Sequence, residues 1–182
     1  MTGIVIGYHG TRLNYVEKIL RDGFNLSKNE YDWLGDGVYF FQDGYLLAKE
    51  WSYKLHKENG VVMGAKINLE SCMDLVDSGW SKFLSAIHDE LVNKIKDDNS
   101  VPPYQSKGAH RLDRAVINYA VASLEKSGHK ISSVRAPFHE GDPLYPNSAL
   151  FSKSHVQIVV RDVSIISDIC LESTDQRGLP HD

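Results

Sequence analysis

Leu34-Gly35-Asp36-Gly37-Val38-Tyr39-Phe40-Phe41, running on through Gln42 to Ser52, is where this chain departs from a generic pattern. Two closely spaced glycines lead into a short aromatic strand, and Asp43 stands where it can cap a helix carrying Leu47, Trp51 and Leu55 on one face. Glycines ahead of an aromatic pair let backbone and ring lie against a flat ligand. The alternative is a β-turn feeding a core strand.

Working outward, Ile4 to Tyr8 is a short apolar run ending in Tyr8-His9-Gly10-Thr11. Leu13, Val16, Ile19 and Leu20 then share one side of a helix that Gly23 can end in left-handed geometry. Asn25 to Asp32 is a polar loop. The second helix runs from Asp43 to about Lys57, and Val61, Met63, Ala65, Ile67 and Leu69 alternate as a half-buried strand. Asp77 or Ser78 can cap a third helix, whose Trp80, Phe83, Leu84, Ile87, Leu91 and Ile95 form the cleanest amphipathic stripe and belong to the core. Asp97 to His110 is a loop by composition, and Leu112 to Lys126 a helix with Leu112, Val116, Ala120 and Leu124 inward. A short strand near Ile131 to Arg135, the loop Phe138-His139-Glu140-Gly141-Asp142-Pro143 and a strand from Ser154 to Arg161 follow. On that last strand Val156, Ile158 and Val160 share one face, and His155, Gln157, Val159 and Arg161 the other. Val163 to Ile169 adds a final apolar segment before a polar tail at about 172–182 that is expected to fray.

With 182 residues, 42% hydrophobic and 24% charged, the chain is expected to form one domain with a substantial core, 1–182. Its formal charge of -4 gives no broad basic surface for nucleic-acid phosphates, although a local groove stays open. Two cysteines, Cys72 and Cys170, make neither a disulfide framework nor a Cys-x-x-Cys pair, and the histidines are too scattered for zinc spacing, so no metal is expected. No apolar run approaches the roughly 20 residues of a membrane helix, and nothing at the start resembles a secretory leader; a cytoplasmic location is expected.

The order of these pieces resembles the ADP-ribosyltransferase superfamily on its poly(ADP-ribose) polymerase and diphtheria-toxin side, the histidine–tyrosine–glutamate branch. There a strand ending in His-Gly-Ser or His-Gly-Thr precedes a helix, then Gly-x-Gly-Ile-Tyr-Phe and an alanine-containing helix. Tyr8 to Thr11, Gly35 to Phe40 and Ala48 to Trp51 fit that order, and Gly64 to Leu69 with Met73-Asp74-Leu75 is similar to the third core strand and its exit. The resemblance covers roughly residues 3–77 and 130–170. It implies an α/β (α+β) fold with split antiparallel β-sheets around an NAD cleft, and an inserted helical segment at about 78–128.

The same resemblance implies cleavage of the nicotinamide–ribose bond of NAD through a ribosyl cation, without a metal. By position, His9 would hold the adenosine ribose, Gly10 would offer its backbone N–H and C=O to the carboxamide, and Thr11 would touch ribose or carboxamide. Tyr39 would stack on nicotinamide, with Tyr45 or Trp51 as the second ring; Trp51 equally suits core packing. Where the family carries its third signature residue, a glutamate, this chain has Gln157. A carboxylate about 4 Å from a full cation is worth about 4 kcal/mol at an effective dielectric near 20. A neutral amide could therefore forfeit up to roughly three decades in rate.

Two explanations are open: Glu140 supplies the missing carboxylate from the preceding loop, or the acceptor needs no base and Gln157 only orients ribose. Loss of glutamate argues against polymer formation, since a ribose hydroxyl is poorly nucleophilic without a base. The expected activity is mono-ADP-ribosyl transfer to a macromolecular acceptor, protein or nucleic acid (DNA or RNA). A stand-alone domain of this kind looks similar to bacterial or phage-defence toxins that an antitoxin partner neutralises. A catalytically inactive NAD-binding or ADP-ribose-binding pseudoenzyme and an NAD glycohydrolase are the alternatives.

Overall fold

A computed structural model describes residues 3–106 and 109–173. Strand β1 (Ile4–Arg12) is followed by helix α1 (Val16–Asp22), strand β2 (Val38–Gln42), helix α2 (Tyr45–His56), strand β3 (Gly60–Asn68) and the short strand β4 (Cys72–Asp74). Helix α3 (Gly79–Asp97), the antiparallel pair β5 (Gln105–Ser106) and β6 (Ala109–His110), and helix α4 (Arg111–Lys126) come next. Strands β7 (Ser133–Phe138), β8 (His155–Val160) and β9 (Ile166–Leu171) complete the order. Within the polar tail, 174–182 lie outside the described residues.

The chain is mixed α/β. Seven strands form one curled sheet in the order β4-β7-β8-β2-β1-β3-β9, antiparallel except for the parallel pair β4–β7. The expectation of two separate antiparallel sheets is corrected in that respect. Strand β2 pairs with β8 over its whole length but with β1 only at Gly7–Gln42 and Tyr8–Phe41, so the division is a partial opening inside a continuous sheet.

Alternation along the strands decides what each face buries. One face, with Val38, Phe40, Met63, Ile67, Ile158 and Val160, packs against Val16 and Ile19 of α1. The other carries α2 over Tyr8 and Val62, and α3 with α4 over Val134, Ala136 and Val159. The strip of that second face between the two sets of helices, around Tyr39, Phe41 and Gln157, is where the segment 25–37 crosses.

The stripe on α3 lies in the core as expected, with Ile87 and Leu91 buried against Val116, Ile117, Ala120 and Val121 of α4. Each such side chain contributes about 1.5–3 kcal/mol by leaving water. Ser78 makes no side-chain cap; Asp77 Oδ1 accepts from Gly79 N–H at 2.9 Å instead.

Three local expectations are corrected. Asp43 does not cap α2: it takes a positive φ of 52°, its N–H donates to Ile6 O, and Gly44 occupies the cap position. Helix α2 turns Tyr45, Ala48 and Ser52 inward, leaving Trp51 40% and Leu55 53% exposed. The reason is distance, because a side chain on Gly10 would meet Ala48 O at 2.6 Å, and so close an approach admits only small residues where α2 crosses Gly10, at Ala48 and Ser52. Leu13, in the 3-10 turn before α1, and Leu20, on α1, are exposed, and Gly23 combines a positive φ with an extended ψ, not left-handed helical geometry.

Candidate functional site

The break between β1 and β2 can be followed peptide by peptide. In an antiparallel ladder, alternate residues turn their N–H and C=O groups to the same edge. Ile6 O accepts from Asp43 N–H on the β2 side, while Gly3 O accepts from Leu69 N–H on the β3 side. The even-numbered residues Ile6, Tyr8 and Gly10 therefore address β2. Tyr8 pairs with Phe41, and the next hydrogen-bonded pair in register, two residues on, would be Gly10 with Tyr39, but the ladder stops before it. The peptide edges of Gly10 and Tyr39 thus face each other across the opening.

His9 bridges that opening. Its Nδ1 lies 2.8 Å from Tyr39 O, and because a carbonyl only accepts, the ring carries its proton on Nδ1 and presents Nε2 as an acceptor. The ring is half-buried, set edge-on to Phe24 at 5.1 Å and tilted over Phe40 at 5.7 Å. Burial lowers its pKa, opposed by the Tyr39 hydrogen bond. The imidazole is therefore kept neutral.

Tyr39 is fixed at its other end. Its hydroxyl donates to Gly35 O at 2.8 Å and accepts from Leu34 N–H at 2.9 Å, and burial pushes its pKa far up, so it stays a neutral phenol. Gly35 and Gly37 owe their type to their own chain, not to a flat ligand. A side chain on Gly35 would strike Asn118 Oδ1 at 2.6 Å, and one on Gly37 would strike Val160 O at 2.5 Å. Asp36 is clamped by Arg114 at 2.7 Å and by Asn118, while Arg161 donates to Asp36 O and Asn118 Oδ1. The turn that delivers β2 is thus tied down by α4 and the end of β8.

Gln157 stands opposite Phe41 on β8 and is 8% exposed. Its Oε1 accepts from Trp33 Nε1 at 3.3 Å, and its Nε2 lies 2.8 Å from His155 Nε2. Around it run aromatic contacts: Trp33 stacks on Phe138 at 4.0 Å, Phe138 on His155 at 5.7 Å, and His155 tilts over Phe41 at 5.2 Å. Sequence reasoning did not single out Trp33 or His155. Trp33 is joined to Gln157 only through the folded chain, whereas the alternation on β8 already put His155 on the face of Gln157.

The remaining candidates separate. Thr11 is buried, and its carbonyl accepts from Ser52 Oγ at 3.2 Å, tying the end of β1 to α2. Tyr45 is buried edge-on to Tyr8 at 5.8 Å. Trp51 points outward beneath the Lys54 ammonium, 5.3 Å from its ring. Glu140 is exposed, and its carbonyl accepts from Lys153 N–H. Ala136 is the β7 partner of Gln157, and Glu140 lies two residues past the end of that strand at Phe138.

A cavity of about 600 Å³ lies nearby, lined by Leu84 and Ser85 of α3, Leu112 and Ile117 of α4, and Trp33 and Phe138. It shares Trp33 with the Gln157 network but is lined by neither His9, Tyr39 nor Gln157. It is the groove between helices α3 and α4 and the sheet. Among the described residues, no group of three or more His, Cys, Asp or Glu side chains is arranged to hold a metal ion. No protein-family model matches the chain, and no curated protein matches it at a significant level.

Proposed function

We propose that the protein is an ADP-ribosyltransferase that takes NAD into the opening between β1 and β2 and passes one ADP-ribose unit to a macromolecular acceptor, releasing nicotinamide. The observation that carries this is the missing Gly10–Tyr39 pair. A carboxamide holds one donor group and one acceptor, which is what the peptide edge of Gly10 would otherwise exchange with a neighbouring strand.

The residues present suit NAD. His9, neutral and fixed through Nδ1, offers Nε2 to a ribose hydroxyl. Gly10 supplies backbone contacts to the carboxamide without a side chain in the way. Gln157 Oε1 has a second lone pair beyond the one Trp33 uses, enough to accept from a ribose hydroxyl. Bound NAD supplies the scissile glycosidic bond; the chain binds, orients and excludes water around it. In this reading the amide of Gln157 takes no proton and the exposed Glu140 is not engaged, so the acceptor is a group that is nucleophilic unaided, a nitrogen or a thiolate sooner than an alcohol. A toxin role with a neutralising antitoxin remains part of this proposal by analogy alone.

The second reading is an NAD-binding module without turnover, favoured by one observation: both ends of the Gln157 amide already have protein partners. Incubation with NAD, measuring free nicotinamide, separates the two. Release above background, with label from adenine-labelled NAD appearing on added protein, DNA or RNA, supports transfer and names the acceptor class. Release with all label remaining as free ADP-ribose makes it a glycohydrolase. Tight NAD binding with no release makes it a binding module.

A further inference from the structure

The amide of Gln157 is read from both ends. His155 Nδ1 lies 2.7 Å from Lys153 O, a pure acceptor, so the His155 proton is on Nδ1. With Gln157 Oε1 turned to the Trp33 N–H, Gln157 Nε2 is the donor toward His155 Nε2 at 2.8 Å, so that nitrogen is a lone pair, which can only accept. At the other end, the indole N–H of Trp33 can only donate, and Gln157 Oε1 receives it at 3.3 Å. Turning the amide over would set NH2 against the indole N–H and the carbonyl oxygen against the imidazole lone pair. Both partners therefore select one orientation. Glutamate, an acceptor at both oxygens when ionised, would satisfy Trp33 but face the His155 lone pair with a second acceptor. It would fit only by holding one more proton, on its own carboxyl group or on His155 between the rings of Phe41 and Phe138 that flank it. Lys153, the nearest cation in sequence, turns its ammonium to Glu50 at 2.6 Å.

We infer that this site is built for an amide at position 157, and that His155 is the positioning residue that sets which end of the amide serves as acceptor. Trp33 and His155 between them leave one Oε1 lone pair and one Nε2 hydrogen with fixed directions, a neutral donor–acceptor pair matched to adjacent ribose hydroxyls. The ribose part rests on the NAD proposal; the hydrogen-bond pattern does not. Gln157 is then a specialisation of the position, and restoring a carboxylate lowers activity.

Proton–nitrogen correlation spectra of the imidazoles in isotope-labelled protein test the pattern without NAD. In the wild type, His155 is expected as the Nδ1–H tautomer, its Nε2 accepting from the Gln157 amide. With NAD, Gln157→Glu is expected to release nicotinamide at least about tenfold more slowly. His155→Phe, which keeps the ring packing, is expected to lower kcat by a similar factor at unchanged Tm, while His155→Gln, whose side-chain carbonyl can accept the same bond, recovers part of it. An Nε2–H tautomer in the wild type, or faster release by Gln157→Glu, would overturn the inference. Should the wild type release no nicotinamide, the transferase proposal fails, and the tautomer result still decides this one.

Discussion

His9 Nδ1 lies 2.8 Å from the carbonyl oxygen of Tyr39, across the point at which β1 and β2 stop pairing. The imidazole replaces a strand partner for that carbonyl. His9→Leu removes the donor and leaves Tyr39 O without it, an expected loss of about 1–3 kcal/mol in urea unfolding, together with loss of NAD binding by calorimetry.

The same ring gives stability a pH dependence of defined sign. Burial lowers the folded pKa of His9, so between that value and the unfolded value of about 6.5 the unfolded chain binds more protons. The His9 contribution is complete above about 6.5 and is lost as pH falls toward the folded value. Urea midpoints measured on either side of that window should fall toward acid in the wild type and fall less in His9→Gln.

Arg135 and Asp74 form an ion pair at 2.9 Å with side chains only 11% and 9% exposed, and Arg135 Nε donates to Gln42 Oε1 at 2.7 Å. This pair fastens the parallel β4–β7 contact. Breaking it from one side strands a buried charge, so Asp74→Leu is expected to cost about 3–5 kcal/mol. The double variant Asp74→Leu with Arg135→Met should be closer to wild type than the single one, a comparison that thermal unfolding makes directly.

Gly10 carries two burdens at once, a close contact with α2 and the peptide edge at the opening. Alanine there places its methyl group 2.6 Å from Ala48 O and 3.0 Å from Ser52 Cβ. Helix α2 must move, at an expected cost of about 1–3 kcal/mol, and NAD affinity should fall with it. Trp51→Ala and Glu140→Gln, both at exposed positions, should change stability by no more than about 0.5 kcal/mol and leave nicotinamide release within about twofold.

Periodicity alone revealed the elements that bury large side chains. The α3 stripe and the alternation on β8 were legible because Ile87, Leu91, Ile158 and Val160 pack against apolar partners at regular spacing. Helix α2 was not, since Ala48 and Ser52 are small where it crosses Gly10, while Trp51 and Leu55 turn to solvent. The motif order placed His9, Gly10 and Tyr39 at one opening, but the Trp33–Gln157–His155 chain depends on a contact between two distant segments and on tautomers, which no local pattern encodes.

Titration of isotope-labelled protein with NAD, followed at the backbone amides, goes most directly to whether a dinucleotide seats in the β1–β2 opening. The amides of Gly10 and Tyr39 are expected to move most, with Ile87 and Val121 unmoved and the response abolished in His9→Leu. No response at millimolar NAD, or shifts confined to Leu84 and Leu112 at the α3–α4 cavity, would contradict the account.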